Sequence, residues 1–200
     1  MQSHRPFSRI KYPFNDNPGG DSCAIARCFS THMKLPSDFS PESRGDAARD
    51  YFLRGYNCCQ AVLLAFADVL EENGMADSGL LKVVGSGFGG GMARMREVCG
   101  SFSADVILAG FLRPASSTVR EDRAANYALV QEMADGFREL NGGSIVCRDL
   151  LGLGQAGGRG TVSPVPSERT ADFYRRRPCP EIIRNSAIVA ARKMLELSGE

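Results

Sequence analysis

Two hundred residues, 43% of them hydrophobic, suffice for one ordinary domain that buries roughly 70% of its unfolded surface, which excludes a fold dependent on disulfides and leaves the seven cysteines needing another explanation. With 24 basic and 23 acidic residues the formal net charge is +1, so the chain as a whole offers no field for nucleic acid or an anionic membrane. The longest apolar candidate, Val98 to Leu112, is too short for a membrane span and carries Asp105, and the first 43 residues lack the apolar stretch of a secretory signal, so a cytoplasmic protein with reduced thiols is expected.

In chain order, residues 1–43 are aperiodic and contain proline, which reads as a loose or partly disordered arm, dispensable for folding. Within it Cys23, Cys28 and His32 match no paired metal module and lack a fourth ligand. Residues 44–200 read as one helical domain. Gly45 to Arg54 carries Ala47, Ala48, Tyr51 and Phe52 at helical spacing. Cys58 to Glu72 is the clearest helix, with Asn57 as N-cap and Asn73-Gly74 as the stop. Ser78 to Val84 runs into a stretch with five glycines between positions 85 and 91. Cys99 to Leu112 ends before Pro114. Val119 to Leu140 has an apolar face from Ala124 through Tyr127, Ala128, Val130, Met133 and Ala134 to Phe137, with Thr118 and Glu121 at capping-box spacing. Cys147 opens a short piece to Leu153, Gly152 to Ser167 is a flexible loop, and Pro180 to Leu197 closes the chain. No stretch alternates as a strand does, so the expected fold is all-α, a compact cluster of about five to six helices.

Four cysteines, Cys58, Cys99, Cys147 and Cys179, each stand at one of these helix starts. Unpaired N–H groups and the positive end of the macrodipole stabilise a thiolate there, so lowered thiol pKa values and redox or metal chemistry are expected. The glycine stretch has neither the Lys-Ser/Thr ending of a P-loop nor a preceding strand. Gly89, Gly90 and Gly91 instead suit close backbone approach, or N–H groups turned toward a sulfur or cluster. Asp105, the only charge between Glu97 and Arg113, is expected on the solvent face of its helix rather than as a buried proton carrier. Arg175-Arg176-Arg177 reads as a solvated charge run, with docking of an acidic partner as the alternative. Neither His4 nor His32 lies in the helical segment, which disfavours a Cys-His catalytic pair.

The strings Tyr56-Asn57-Cys58-Cys59-Gln60-Ala61-Val62, Gly87-Phe88-Gly89-Gly90-Gly91-Met92, Glu97-Val98-Cys99-Gly100, Cys147-Arg148-Asp149-Leu150-Leu151-Gly152 and Cys179-Pro180-Glu181, in this order over about residues 45 to 197, resemble the C_GCAxxG_C_C family of redox-active proteins. That family carries four cysteines in the pattern C, C-G-A-x-x-G, C, C. The resemblance implies a redox role for Cys58, Cys99, Cys147 and Cys179, with Gly89, Gly90, Gly91 and Gly100 beside a bound cofactor. Cys59 falls where the pattern commonly has another residue. Ser101 stands for the alanine of the central motif and Ala104 for its second glycine, a departure that weakens the case for tight cofactor binding more than the case for thiol exchange. Two versions follow: the four thiolates ligate an iron–sulfur cluster, or they form reversible dithiol pairs that exchange with a redox partner protein. A redox-silent structural zinc site and a helical interaction protein with inert buried cysteines are the alternatives.

Overall fold

The computed structural model describes residues 33–154 and 163–199. His4, Cys23, Cys28, His32 and residues 155–162 of the expected loop lie outside them. Among the described residues the chain is helical, with nine α-helices, one 3-10 turn and no strand beyond a single antiparallel bridge.

Helix α1 (Pro41–Leu53) begins four residues before the expected Gly45. Proline at its first position loses nothing by lacking an N–H, and the Ser40 side chain accepts a bond from the Ser43 N–H. The segment before it is held to the domain. Met33, Leu35 and Phe39 pack on the core, the Lys34 N–H donates to Asn73 Oδ1 at 3.0 Å and Asn73 Nδ2 donates back to Lys34 O at 2.9 Å.

The single helix expected over Cys58 to Glu72 is two: α2 (Cys58–Leu64) and α3 (Ala67–Glu72). At the break the Arg44 guanidinium, paired with Asp68, donates to Ala65 O at 2.9 Å. A side chain bonded into the carbonyl ladder is a recognised cause of such a kink. Helix α4 (Ser78–Val84) is capped by the Asp77 side chain and leads into the 3-10 turn Ser86–Phe88. Helix α5 (Gly100–Leu112) is buried along most of its length, α6 is Arg120–Leu140, α7 is the one-turn Cys147–Leu150, and α9 is Cys179–Ser198. A short helix not expected from the sequence, α8 (Ala171–Arg175), starts at the Thr170 cap.

Helix α6 departs from expectation twice. Its N-cap is Val119, and no Thr118–Glu121 capping box forms; Ser117 Oγ accepts from the Val119 N–H and donates to Asp122 Oδ2. Its core face spans only Leu129, Met133, Ala134 and Phe137, while Ala124, Tyr127 and Ala128 are exposed. The first half of α6 therefore extends past the helices that the second half covers.

Helix α9 lies along α1 and also packs on α2, α5 and α6, while α2 sits between α1 and α5. The α1–α9 crossing is close because Gly45 has no side chain: a Cβ there would stand 2.9 Å from Ile188 and 3.0 Å from the Arg184 carbonyl. A main core including Val62, Leu63, Phe66, Leu108, Met133, Ile183 and Met194 fills the interior, and a smaller cluster of Cys99, Phe102, Ala134, Phe137 and Ile182 underlies one end. That end carries the helix starts of α2, α5, α7 and α9.

Candidate functional site

Each of the four cysteines is placed by a different local device. Cys58 is the first residue of α2, whose capping box is complete: Asn57 Oδ1 accepts from the Cys59 and Gln60 N–H groups, and the Asn57 N–H donates to Gln60 Oε1. Asn57 Nδ2 in turn donates to the carbonyls of Gly85 and Ser86, tying the α2 start to the glycine stretch. Cys99 caps α5 and Cys147 begins α7, joined by the antiparallel bridge between Val98 and Val146. The Cys99 N–H donates to Ile145 O at 2.8 Å and the Cys147 N–H to Glu97 O at 2.7 Å. Alternation across that bridge puts positions 99 and 147 on its same face, diagonal to one another. Cys179 opens α9 directly after Pro178.

All four line one cavity of about 490 Å³. Cys59 does not. A turn of about 100° per residue separates it from Cys58, and it is fully buried in the main core.

The glycines serve this arrangement by contact. A Cβ on Gly100 would fall 2.4 Å from Cys58 Sγ and 2.5 Å from Phe88 O, and one on Gly91 would fall 2.6 Å from Cys147 Cβ. Gly89 and Gly90 line the cavity, and a Cβ on Gly89 would stand 3.0 Å from Asn57. Beyond them the backbone turns left-handed: Gly90, Gly91, Met92, Ala93, Arg94 and Arg96 all have φ between +47° and +70°. The Ala93 N–H donates to Gly87 O at 2.8 Å and the Arg94 N–H to Gly89 O at 2.9 Å, which closes the turn. Four of these residues are not glycine, each adopting a conformation about 1–2 kcal/mol unfavourable for an L-residue. The sequence marks only the glycines that lead into this turn.

Burial overrides the expected lowering of the thiol pKa values. Desolvation holds the Cys99 thiol far above its ordinary value, with the Cys58 sulfur adding to the effect and a Ser101 hydroxyl 3.2 Å from Cys99 Sγ opposing it. Cys179 is pushed up to about 11, first by burial and then by Cys58, against the pull of Arg177. Cys147 is raised by burial, while a hydrogen bond from Arg96 to its sulfur works the other way. Cys59 is raised by burial above all. The helix starts of α5, α7 and α9 position Cys99, Cys147 and Cys179 without making them acidic. The sulfurs of Cys58 and Cys147 each act on others of the group, raising the Cys99 and Cys179 thiols further.

Two further expectations are corrected. Asp105 is fully buried, not on the solvent face, because it points toward Ser186 of α9, while the solvent face of α5 carries Val106 and Gly110. Burial raises its pKa well above the ordinary carboxylate range, Ser186 Oγ donates to its Oδ2 at 2.8 Å, and its Oδ1 has no partner. The arginine run divides: Arg175 and Arg176 pair with Asp172, whereas Arg177 lines the cavity.

Thiols of the type and number an iron–sulfur cluster requires thus face one cavity. Their spacing does not fit a preformed centre: among the described residues no group of three or more His, Cys, Asp or Glu stands close enough to hold a metal ion, and Cys58, Cys59, Cys99, Cys147 and Cys179 are all free thiols. No helix among the described residues is long and apolar enough to cross a membrane.

Residues 56–193 match the model of the family described as "Putative redox-active protein (C_GCAxxG_C_C)". The chain belongs to that family. No curated protein and no solved structure matches it.

Proposed function

We propose that this protein is a thiol redox protein whose cavity cysteines cycle between dithiol and disulfide. The observation that supports this most is selective convergence: Cys58, Cys99, Cys147 and Cys179 arrive from four helix starts at one cavity, while the adjacent Cys59 is turned into the core. In the oxidising direction two cavity thiols release two protons and two electrons, a disulfide forms between their sulfurs, and a partner disulfide takes the electrons and protons to become two thiols. The thiolate is the attacking species. Since burial keeps Cys99, Cys147 and Cys179 protonated at rest, the guanidinium groups of Arg96 and Arg177, which favour the thiolate at Cys147 and Cys179, assist its formation. The reducing conditions of a cytoplasm would maintain the dithiol form.

A second reading, an iron–sulfur cluster on the same four sulfurs, is favoured by their number and common cavity and opposed by their spacing. Anaerobic purification followed by an absorption spectrum, analysis of iron, zinc and sulfide, and a thiol count separates the possibilities. Colourless protein with all its thiols titratable and no stoichiometric metal supports thiol exchange. Iron with equimolar sulfide and visible charge-transfer absorption would replace it with the cluster, and one tightly held zinc would point to a redox-silent structural site.

A further inference from the structure

Among the described residues the cavity that holds the thiols is also lined by four arginines, Arg94, Arg96, Arg169 and Arg177, and by no aspartate or glutamate. The chain carries a net charge of only +1, so this concentration is local. Among the described residues outside the cavity, Arg44 pairs with Asp68, Arg148 with Glu97, Arg184 with Asp46, and Arg175 and Arg176 with Asp172, while the arginines without an ion pair, Arg54, Arg113, Arg120, Arg123 and Arg192, are scattered on the exposed surface. Among the described residues none of the cavity arginines has a carboxylate partner. Apart from the Arg96 bond to the Cys147 sulfur, their protein bonds are long and few: Arg94 to Ser167 Oγ at 3.3 Å, Arg96 to Gly90 O at 3.5 Å and Arg169 to Tyr56 O at 3.5 Å. The Nε of Arg94 is buried with no partner. Two of the guanidinium groups are held by aromatic faces, Arg169 over Phe52 at 4.5 Å and Arg177 over Phe173 at 4.7 Å. Stacking fixes the plane of the group and leaves N–H edges able to meet a carboxylate.

Resting on the thiol-redox reading above, we infer that the cavity binds a small anionic substrate, of the class of carboxylate-bearing disulfides and their thiols. Four unneutralised arginines select negative charge. A space of about 490 Å³ is in the range of small-molecule sites and larger than a single oxyanion needs. The cavity's nucleophiles are thiols, so the group that reacts there is a disulfide, carried by a molecule whose carboxylates meet the arginines. The exchange balances: two cavity thiols and one small disulfide give one protein disulfide and two small thiols, with two protons and two electrons passing to the substrate sulfurs.

The test compares oxidation of the reduced full chain by three disulfides of different charge: oxidised glutathione (anionic), hydroxyethyl disulfide (neutral) and cystamine (cationic). Loss of protein thiols gives the rate, and each rate is divided by that of the same disulfide with dithiothreitol, which removes differences in intrinsic reactivity. The expected order is anionic over neutral over cationic, with about tenfold or more between the extremes at low ionic strength, shrinking as salt is added. Arg94→Gln should lower the oxidised-glutathione rate more than the hydroxyethyl disulfide rate and so narrow the ratio between them, with the helical circular-dichroism signal and melting temperature as the control for folding. Equal normalised rates for the three, or an anion preference that survives Arg94→Gln undiminished, would overturn the anion site while leaving thiol exchange intact. No oxidation by any of them would overturn the redox reading on which it rests.

Discussion

Ser101 occupies the position at which the family pattern has alanine, and its hydroxyl lies 3.2 Å from Cys99 Sγ. A bond to the charged form of a thiol stabilises it by about 1.5–3 kcal/mol, so Ser101→Ala is expected to raise the Cys99 pKa further, by roughly a unit or more. Alkylation of Cys99 followed against pH should then slow about tenfold at neutral pH; an unaltered profile would mean that the hydroxyl has no bearing on the thiol. Asp105 works in the opposite sense on stability. Its folded pKa lies well above the ordinary 3.8, so above that pH the unfolded chain binds fewer protons than the folded one and stability falls as pH rises through the interval. Asp105→Asn should therefore melt higher than the parent at neutral pH, the difference closing as pH drops toward 4. A variant less stable than the parent at every pH would refute this. The placement of the cysteines at helix starts was legible residue by residue, because the Asn57 cap and the first-turn Pro180 are local signals. The burial of Asp105 was not, since a lone charge in an apolar run reads alike whether it points to solvent or to a neighbouring helix. The raised thiol pKa values escaped for a related reason: a helix start can be read from its neighbours, but desolvation depends on everything that packs over it.

At the scale of elements, six helices of seven or more residues stand where periodicity and caps indicated, and the misreadings have distant causes. The break between α2 and α3 comes from Arg44, 21 residues before the carbonyl it binds. The shortened core face of α6 depends on how far α5 and α9 extend beside it. The left-handed turn after Gly91 was hidden because Met92, Ala93, Arg94 and Arg96 are not residues that announce positive φ. Glycine runs before it, the bridge of Val98 to Val146 anchors it afterwards, and the strain lies between, next to Gly91 and the Cys147 it touches. Such strain persists only where surrounding structure over-determines it, and it clusters at functional sites. Ala93, at φ +47°, is the simplest place to relieve it. Ala93→Gly removes the Cβ clash while adding freedom to the unfolded chain, for a net gain of about 0.5–1 kcal/mol. A higher denaturant midpoint at unchanged slope is the expected result. A lower midpoint would show that the alanine methyl makes a contact worth more than the strain.

For the whole molecule, the domain begins earlier than the composition of its N-terminal region indicated. Residues 33–40 carry charge and two small polar residues and have no period, yet Met33, Leu35 and Phe39 lie on the core and Arg44 stacks on Phe39 at 4.7 Å. A chain starting at Pro41 should thus be less stable than one starting at Met33 by about 2–4 kcal/mol, the transfer value of a few partly buried apolar side chains. Equal melting temperatures for the two would show these contacts to be inconsequential. The same scale explains why the site could be anticipated only in part: four helix starts can be read from four strings, but their meeting at one end of the bundle depends on α9 returning along α1 and on the bridge that joins Cys99 to Cys147. The cavity arginines come from the strained turn, the loop before α8 and the approach to α9, which no sequence interval connects. The account's central claim is that Cys58, Cys99, Cys147 and Cys179 are one redox group from which Cys59 is excluded. Its most direct test is to oxidise the reduced protein with a small disulfide, block the remaining thiols and map the cross-links by mass spectrometry of non-reduced peptides. Intramolecular disulfides confined to those four cysteines, reversed by reductant and with Cys59 recovered as a free thiol, are predicted; a bridge to Cys59, or no intramolecular bridge among the four, would contradict it.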